Sequence, residues 1–161
     1  MDNIEIRPVD VNAHYAAVSA MMRGLHENER MLNNRTAYWD DIEAAYMRHV
    51  ALMQDEYEGM CLVAYVDDVP VGFIFGYVEE EDDSRFEQYS GRILYVSDGF
   101  VYPEHRRKGI YNMLNKQLEA HFIASGVKRI FRLTLVGNEG MRHFLTSDGY
   151  TPTRIMYEKW L

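Results

Sequence analysis

Residues 100–111 read FVYPEHRRKGIY, and they take the chain from an apolar strand through a turn into a helix. The strand is predicted over Ile93–Tyr102, which is rich in β-branched and aromatic residues. A helix is predicted from Arg107 to Ser125, because apolar residues recur there at helical spacing and Gly126 follows in the position of a C-terminal cap. The first amides of a helix have no internal partner and lie at the positive end of its dipole. The stretch therefore predicts a turn that can bind an anion.

The charge on this turn supports the same interpretation. Arg106, Arg107 and Lys108 precede Gly109 at the start of the helix, where cations are unfavourable unless an anion offsets them. The order of residues excludes two common phosphate motifs. Lys108 comes before Gly109, so there is no G-x-x-x-x-G-K-[ST], and no G-x-G-x-x-G follows an early strand. Nucleotide hydrolases and dinucleotide-dependent dehydrogenases thus lose their main support.

Outside this stretch, the hydrophobic pattern alternates between extended and helical periods. It predicts a strand at residues 4–8, a helix from Asn12 to Glu29 capped by Asn12, and a second helix capped by Thr36. Strands Met60–Val66 and Val71–Val78 then precede the strand at 93–102. After the long helix the pattern predicts a strand Arg129–Val136, a short helix through Met141 and Leu145, and one or two closing strands within Tyr150–Trp160. The fold class is α/β (α+β), with a mixed, mostly antiparallel central sheet flanked by helices. Its 161 residues, 47% hydrophobic, predict a single domain spanning 1–161.

Composition excludes several classes of partner and compartment. The net charge of −8 is the wrong sign for binding nucleic acid or an anionic membrane surface. No apolar run is long enough to span a membrane, and the lone Cys61 fits a reducing, cytoplasmic compartment. The acidic run at 79–83 is interpreted as a solvated loop, with no metal, because no histidine or regular ligand spacing accompanies it.

Four residues of the basic turn carry a resemblance to a known family. Val101, Pro103, Arg106 and Gly109 match V-x-P-x-x-[QR]-x-x-G, the acyl-CoA signature of the GNAT superfamily of N-acetyltransferases, and the order of elements also resembles that family. The resemblance implies one N-acetyltransferase domain that uses acetyl-CoA as co-substrate. It also implies a set of cofactor-binding residues: Phe100, Val101, Arg106, Arg107, Lys108, Gly109, Ile110, Tyr111 and Asn138.

Two positions depart from the family pattern. Tyr111 stands where a small residue usually lets the helix approach the phosphates, and Leu145, seven residues after Asn138, stands where many members carry a tyrosine that protonates the leaving thiolate. Water, Tyr150 or His143 are the candidate replacements for that acid. A thiol with a pKa of about 8.5 is also a tolerable leaving group without one.

The reaction further requires a base, an oxyanion donor and a place for the amine. Asp98 is the candidate base, the alternative being an aspartate that binds backbone at the strand end, and the backbone N–H of Val101 is the candidate oxyanion donor. The candidate acceptor residues are carboxylates, a histidine and aromatic rings that suit a small cationic amine: His26, Glu27, Glu29, Tyr38 and Trp39.

Other interpretations of the same sequence stay open. The acceptor can instead be a protein lysine or an amino-terminal peptide. Leu145 also fits a non-catalytic acyl-CoA-binding sensor or assembly domain. If Tyr111 fills the phosphate site, the chain is a structural dimerisation domain, with the segment 156–161 pairing between chains. A homodimer is possible in any of these cases.

Overall fold

The structure is a computed structural model that describes residues 3–81, 84, 86–88 and 91–161. Its elements follow the predicted order as far as the last helix. They are β1 (Ile4–Val9), α1 (Tyr15–Leu32), α2 (Trp39–Glu56), β2 (Met60–Val66), β3 (Val69–Glu80), β4 (Arg92–Val101), a 3₁₀ turn (Pro103–His105), α3 (Ile110–Ala124), β5 (Arg129–Phe131) and α4 (Glu139–Ser147). The predicted mixed α/β class is confirmed.

The five strands form one sheet in the order β1-β2-β3-β4-β5. The first four strands pair antiparallel, whereas β5 pairs parallel to β4. That parallel pairing is short, since it joins only Ile93, Leu94 and Tyr95 of β4 to β5. Past Tyr95 the remaining half of β4 pairs with β3 alone. The two strands therefore part beside the second half of β4, which leads into the basic turn.

Each face of the sheet carries its own hydrophobic core. On one face, α1 and α2 cover a core that includes Met21, Met47 and Phe100. On the other face, α3 covers a core that includes Leu114, Leu118 and Val101. Phe100 and Val101 are neighbours in β4 and belong to opposite cores, because successive side chains of a strand alternate between its faces.

The predicted closing strands do not form. Residues 150–161 contain neither helix nor strand, and 151–161 are exposed throughout. The preceding strand is also shorter than predicted, since β5 ends at Phe131 instead of Val136. Alternating apolar residues make a segment compatible with a strand, but a strand also needs a neighbouring edge for its backbone groups. The last strand of the sheet is β5, and none of the described residues pairs with its outer edge.

Three predicted helix starts are also corrected. Asn12 and Thr36 do not cap α1 and α2, whose N-cap positions are His14 and Tyr38 and make no side-chain capping bond. The third long helix begins at Ile110 instead of Arg107. Its delay has a local cause, because the turn before it places Arg107 and Gly109 in the left-handed region, which a right-handed helix excludes.

The other boundaries shift for reasons of pairing. β1 includes proline at position 8, which an edge strand tolerates, and β3 and β4 begin up to two residues earlier than predicted. Glu79 and Glu80 belong to β3 instead of a loop, and Glu81 is buried, with its carboxylate 2.8 Å from Arg129 Nη1. Asp82 and Asp83 lie outside the described residues. None of the described helices has the length and apolar character needed to cross a membrane.

Candidate functional site

The turn between β4 and α3 is built by an unusual backbone. Arg107 has φ of +63° and Gly109 has φ of +78°, both in the left-handed region. Glycine adopts this conformation without cost, whereas an arginine there costs free energy and points to a functional constraint. The Nε of Arg106 donates a 2.8 Å hydrogen bond to the Val101 carbonyl and closes the turn back onto β4. The first amides of α3, which begins at Ile110, directly follow this turn.

A cavity of about 230 Å³ lies at this turn. Six of the residues predicted to bind the co-substrate line it: Val101, Arg106, Arg107, Gly109, Ile110 and Tyr111. His105, Asn112 and Phe144 complete the lining. The side chain of Phe100 is buried in the core beneath α1, so only its backbone is available to the co-substrate site. Asn138 caps α4, its Oδ1 accepting a 3.1 Å bond from the Met141 amide, and Lys108 is exposed beside the cavity.

The side chain of Tyr111 points inward. Its ring makes an edge-to-face contact with Phe144 at 5.2 Å between centroids. Its hydroxyl lies so close to β4 that a Cβ on Gly99 would be 2.8 Å from it. Tyr111 thus packs against the strand between the turn and the point where β4 and β5 part, and Gly99 provides the space for it.

Arg132 holds the hydroxyl of Tyr111, although the sequence pattern did not predict Arg132 as a site residue. Its side chain is only 4% exposed. Its Nη1 donates to Tyr111 Oη at 3.0 Å and its Nε donates to Tyr150 Oη at 3.2 Å, while Asn115 accepts from Nη2. The pattern around position 132 predicted a plain strand, so only the depth of its burial marks this arginine as unusual.

Asp98 lies on the opposite face of β4 and is buried. Its Oδ1 accepts a 2.6 Å hydrogen bond from Tyr46 Oη, and its Oδ2 accepts one of the same length from Ser97 Oγ. Burial raises the pKa of this carboxyl, while the two hydrogen bonds and the nearby His26 and His49 oppose that rise. Both hydrogen-bond partners of Asp98 are side chains. This differs from the alternative interpretation, in which Asp98 binds the backbone at the end of the strand.

A β-bulge decides the direction of Asp98. Phe75 of β3 is paired with Asp98 and the next residue, Gly76, is paired with Val96, so Ser97 is the extra residue. Before the bulge Val96 faces the core under α3, and after it Asp98 and Phe100 face α1 and α2. Such bulges re-aim side chains, and they are frequent beside active sites.

Two of the predicted acceptor residues gather around Asp98. His26 is buried between the rings of Trp39 and Tyr46, at 4.9 and 5.2 Å between centroids. Burial lowers the pKa of His26, and its Nδ1 has no hydrogen-bond partner among the described residues. Burial and the charge of Asp98 both raise the pKa of Glu29, one turn farther along α1. The group therefore combines the buried carboxyl of Asp98 and the partly buried carboxyl of Glu29 with aromatic faces, which suits a cation.

The other two acceptor candidates, Glu27 and Tyr38, lie apart from Asp98. They line a separate cavity of about 460 Å³ together with Trp39, Arg23 and Arg30. The Arg30 guanidinium is 3.5 Å from the centroid of the Tyr38 ring. Trp39 is the residue that reaches both places, since it lines this cavity and also touches His26.

Taken together, the geometry places a potential base and an anion-binding turn within four residues of β4. Asp98 faces α1 and α2, whereas Val101 lines the cavity at the start of α3. Amide formation from a thioester needs this combination of a base and a binding site for an anionic carrier. Among the described residues, no group of three or more histidine, cysteine, aspartate or glutamate residues is arranged to hold a metal ion.

Solved structures of similar fold were found over almost the whole chain. The aminoglycoside N-acetyltransferase AAC(6')-Iy in complex with CoA has a TM-score of 0.71 at 17% identity and covers 99% of this chain and 96% of its own. A mutant form of the BH1408 protein from Bacillus halodurans has a TM-score of 0.75 at 20% identity, with 98% and 99% covered. An aminoglycoside acetyltransferase from an uncultured soil metagenomic sample, in complex with trehalose, has a TM-score of 0.67 at 15% identity, with 98% and 95% covered. These likenesses establish the fold.

Comparison of the sequence identifies a family but no individual curated relative. No match was found among the curated proteins. The family model for GNAT acetyltransferases, however, matches residues 24–150, a range that includes the second half of α1, Asp98, the basic turn and α4. With the signature at Val101, Pro103, Arg106 and Gly109 on a strand, turn and helix of the expected geometry, the chain belongs to the GNAT family of acetyltransferases.

Proposed function

We propose that the protein is an acetyl-CoA-dependent N-acetyltransferase that moves the acetyl group directly onto a small cationic amine. One observation carries this proposal. At the end of β4, Asp98 faces α1 and α2, whereas Val101 faces the cavity at the basic turn on the other side of the sheet. Residues 1–161 act as one N-acetyltransferase domain, because the strands form a single sheet with a core on each face.

The basic turn is the proposed site for acetyl-CoA. Arg106, Arg107, Lys108, Gly109, Ile110 and Tyr111 supply backbone amides and positive charge for the pyrophosphate at the start of α3. The backbone of Phe100 and Val101 runs beside the pantetheine, and Asn138 approaches it from the β5 side. The presence of CoA in the AAC(6')-Iy structure, which has the same fold, supports this assignment.

Asp98 is the proposed base. The attacking nitrogen must lose a proton as it bonds to the acetyl carbon, and a carboxylate whose pKa burial has raised is better matched to that proton than an exposed one. Tyr46 and Ser97 hold both carboxylate oxygens in place. The Val101 N–H is the proposed donor to the carbonyl oxygen, where negative charge develops.

His26, Glu29 and Trp39 form the proposed acceptor site next to Asp98. Glu27 and Tyr38 form a proposed outer part of it in the second cavity, which Trp39 also lines. An ammonium group is attracted by the partly buried Glu29 carboxyl and by the faces of the aromatic rings. Aminoglycosides are acetylated by proteins of the same fold. They are polycationic amines, so they belong to the substrate class that these residues fit.

A homodimer is the proposed assembly. The outer edge of β5 is unpaired among the described residues, and the segment 150–161 exposes apolar side chains that include Ile155, Met156 and Tyr157. The outer edge of β5 has backbone groups that a strand can pair with, and the segment 150–161 has the alternating apolar pattern of a strand. A second copy supplies the partner that each of them lacks.

Titration of the purified protein with acetyl-CoA by calorimetry tests the co-substrate site. Saturable binding is expected, and Arg107→Ala should weaken it roughly 10-fold, because a charge-assisted hydrogen bond contributes about 1.5–3 kcal/mol. Replacing Arg106 and Arg107 together by alanine should abolish binding. Arg48→Ala, an exposed arginine on α2, is the control and should bind like the wild type. Failure of the wild type to bind acetyl-CoA at millimolar concentration contradicts the proposed function.

Turnover of an amine panel tests the acceptor. The panel holds neamine, a linear polyamine, a lysine-containing peptide and a neutral amine. Glu29→Gln should raise KM for the cationic amines several-fold and leave the neutral amine unaffected, with a smaller effect from Glu27→Gln. Glu56→Gln, exposed at the end of α2, is the control. The cationic acceptor is wrong if neither substitution changes any KM, and binding of acetyl-CoA without turnover of the panel favours the non-catalytic sensor that Leu145 suggested.

A further inference from the structure

The reaction proposed above leaves one requirement without a residue, namely a proton for the departing thiolate. Leu145 is buried in α4 and has no proton to give. The Tyr150 hydroxyl donates its proton to Glu119, and His143 is exposed on α4. None of these side chains lines the cavity at the basic turn. The donor must therefore be sought among the polar groups that do.

Tyr111 is such a group. It lines the cavity together with Val101 and Gly109, and its hydroxyl extends from there to Gly99, beside the half of β4 that β5 does not pair with. The hydroxyl accepts a hydrogen bond from Arg132 Nη1 at 3.0 Å. No described residue accepts the proton of Tyr111 Oη, so the hydroxyl remains able to donate.

Arg132 adjusts Tyr111 for donation. Burial raises the pKa of Tyr111, which keeps the phenol protonated, and the adjacent guanidinium opposes that rise. The same guanidinium stabilises the phenolate that remains after the proton has left. Asn115 and Tyr150 hold Arg132 in turn, which fixes the position of the pair.

The alternation of β4 places this hydroxyl opposite the proposed base. Asp98 faces α1 and α2, whereas Gly99, the next residue, faces Tyr111 on the α3 side. A group that accepts a proton from the amine and a group that donates one to the thiol are thus held on opposite faces of the strand. The scissile carbon–sulfur bond must lie between them, at the edge that β5 leaves uncovered.

We propose that Tyr111, positioned by Arg132, is the acid that protonates the leaving thiolate of coenzyme A in place of the residue missing at position 145. This inference rests on the proposed function. The bound ammonium group first releases one proton to solvent and becomes the neutral amine. As the nitrogen–carbon bond forms and the carbon–sulfur bond breaks, Asp98 takes a second proton from the nitrogen and Tyr111 gives one to the sulfur. Solvent then carries the proton from Asp98 back to the Tyr111 phenolate, so that charge and protons balance.

Equilibrium binding of coenzyme A tests the contact without any acceptor amine. Calorimetry compares CoA with desulfo-CoA, which lacks the thiol, at pH 7 and pH 9. A hydrogen-bond donor at the sulfur prefers the thiolate, whose ordinary pKa is about 8.5. The affinity for CoA relative to desulfo-CoA should therefore rise about five- to tenfold between the two pH values in the wild type.

Tyr111→Phe should remove this pH-dependent preference and leave the affinity for desulfo-CoA unchanged, because phenylalanine keeps the ring contacts with Gly99 and Phe144. Tyr102→Phe is the matched control, since Tyr102 packs against Phe100 on the other face, and it should behave like the wild type. In turnover of the amine panel, Tyr111→Phe should lower kcat about 100-fold at unchanged KM for acetyl-CoA.

Three outcomes overturn the assignment while the proposed function stands. The first is an equal preference for CoA over desulfo-CoA in the wild type and in Tyr111→Phe. The second is a larger loss of kcat in Tyr150→Phe than in Tyr111→Phe. The third is tighter binding of both ligands on Tyr111→Ala, which shows that the ring blocks the co-substrate. Absence of binding of either ligand by the wild type contradicts the proposed function itself.

Discussion

At the scale of single residues, the burial of the Asp98 carboxyl carries an electrostatic cost. A buried carboxylate without a cationic partner is destabilising unless hydrogen bonds offset its loss of solvation. Tyr46 and Ser97 provide two such bonds, yet burial still raises the pKa of Asp98. If Asp98 is held at the expense of stability, as its proposed role as a base implies, its burial should affect the pH dependence of unfolding.

The first prediction concerns Asp98→Asn. Because the pKa of Asp98 is raised in the folded state, its contribution to stability is present below about pH 3.9, the unfolded value, and is lost as the pH rises through the folded pKa. The free energy of unfolding of Asp98→Asn, relative to the wild type, should therefore increase as the pH rises from 4 to 8. Urea unfolding at several pH values measures it. Asp55→Asn, exposed on α2, is the control, and an equally flat difference for both variants contradicts a raised pKa at Asp98.

At the scale of elements, the contact of α1 with β4 holds the two halves of the proposed acceptor site together. Gly24 of α1 lies directly over Phe100, and a Cβ there would be 2.7 Å from Cε1 of the ring. Ring atoms cannot yield as the end of a flexible side chain can. The absence of a side chain at position 24 thus allows α1 to bring His26 and Glu29 next to Asp98.

The second prediction compares two helical glycines. Gly24→Ala should destabilise the protein by about 1–3 kcal/mol through overpacking, and it should raise KM for the acceptor by moving α1 away from β4. Gly140→Ala in α4, where a Cβ meets nothing within 4 Å, should be neutral or stabilising by up to about 1 kcal/mol. Thermal unfolding and steady-state kinetics measure both. Equal stability of the two variants argues against a close α1–β4 contact.

At the scale of the whole molecule, the described part of the sheet is left open at one side. Large apolar side chains are exposed after β5 at Leu133 and Val136, and along the C-terminal segment at Ile155, Met156 and Tyr157. Large contiguous apolar patches on a protein surface are typical of interaction surfaces, and the proposed dimer would cover these residues. The same segments were predicted as strands from their alternating pattern, so a partner that completes the sheet accounts for both observations.

The third prediction follows from this surface. Light scattering should give the wild type a mass near twice 18.9 kDa, and replacing Ile155 and Met156 together by lysine should give the mass of one chain. The folded protomer should tolerate both lysines, because these positions are exposed. Leu52→Lys, at an exposed apolar residue of α2, is the control and should remain dimeric. A wild type that is monomeric at every concentration contradicts the proposed pairing.

The sequence by itself determined the parts of this protein that depend on neighbours along the chain. The basic turn is one of them, since Pro103, the three cations and Gly109 specify the end of a strand and the start of a helix within a few residues. Strand Met60–Val66 was predicted with the observed bounds, because its apolar pattern is interrupted sharply at both ends. Family membership followed from the same local motif, because a phosphate-binding turn needs particular residues at fixed spacing.

Tertiary structure alone decided what depends on distant partners. Asp98 faces α1 because a bulge at Ser97, set by pairing with β3, shifts the alternation of β4. Tyr111 turns inward to meet Arg132, which lies 21 residues away and was not predicted as part of the site. The closing strands were predicted from their pattern, but residues 150–161 of the single chain form no strand. A residue pattern encodes which faces are apolar, whereas the register of a strand and the presence of a neighbouring edge are set by contacts far apart in the sequence.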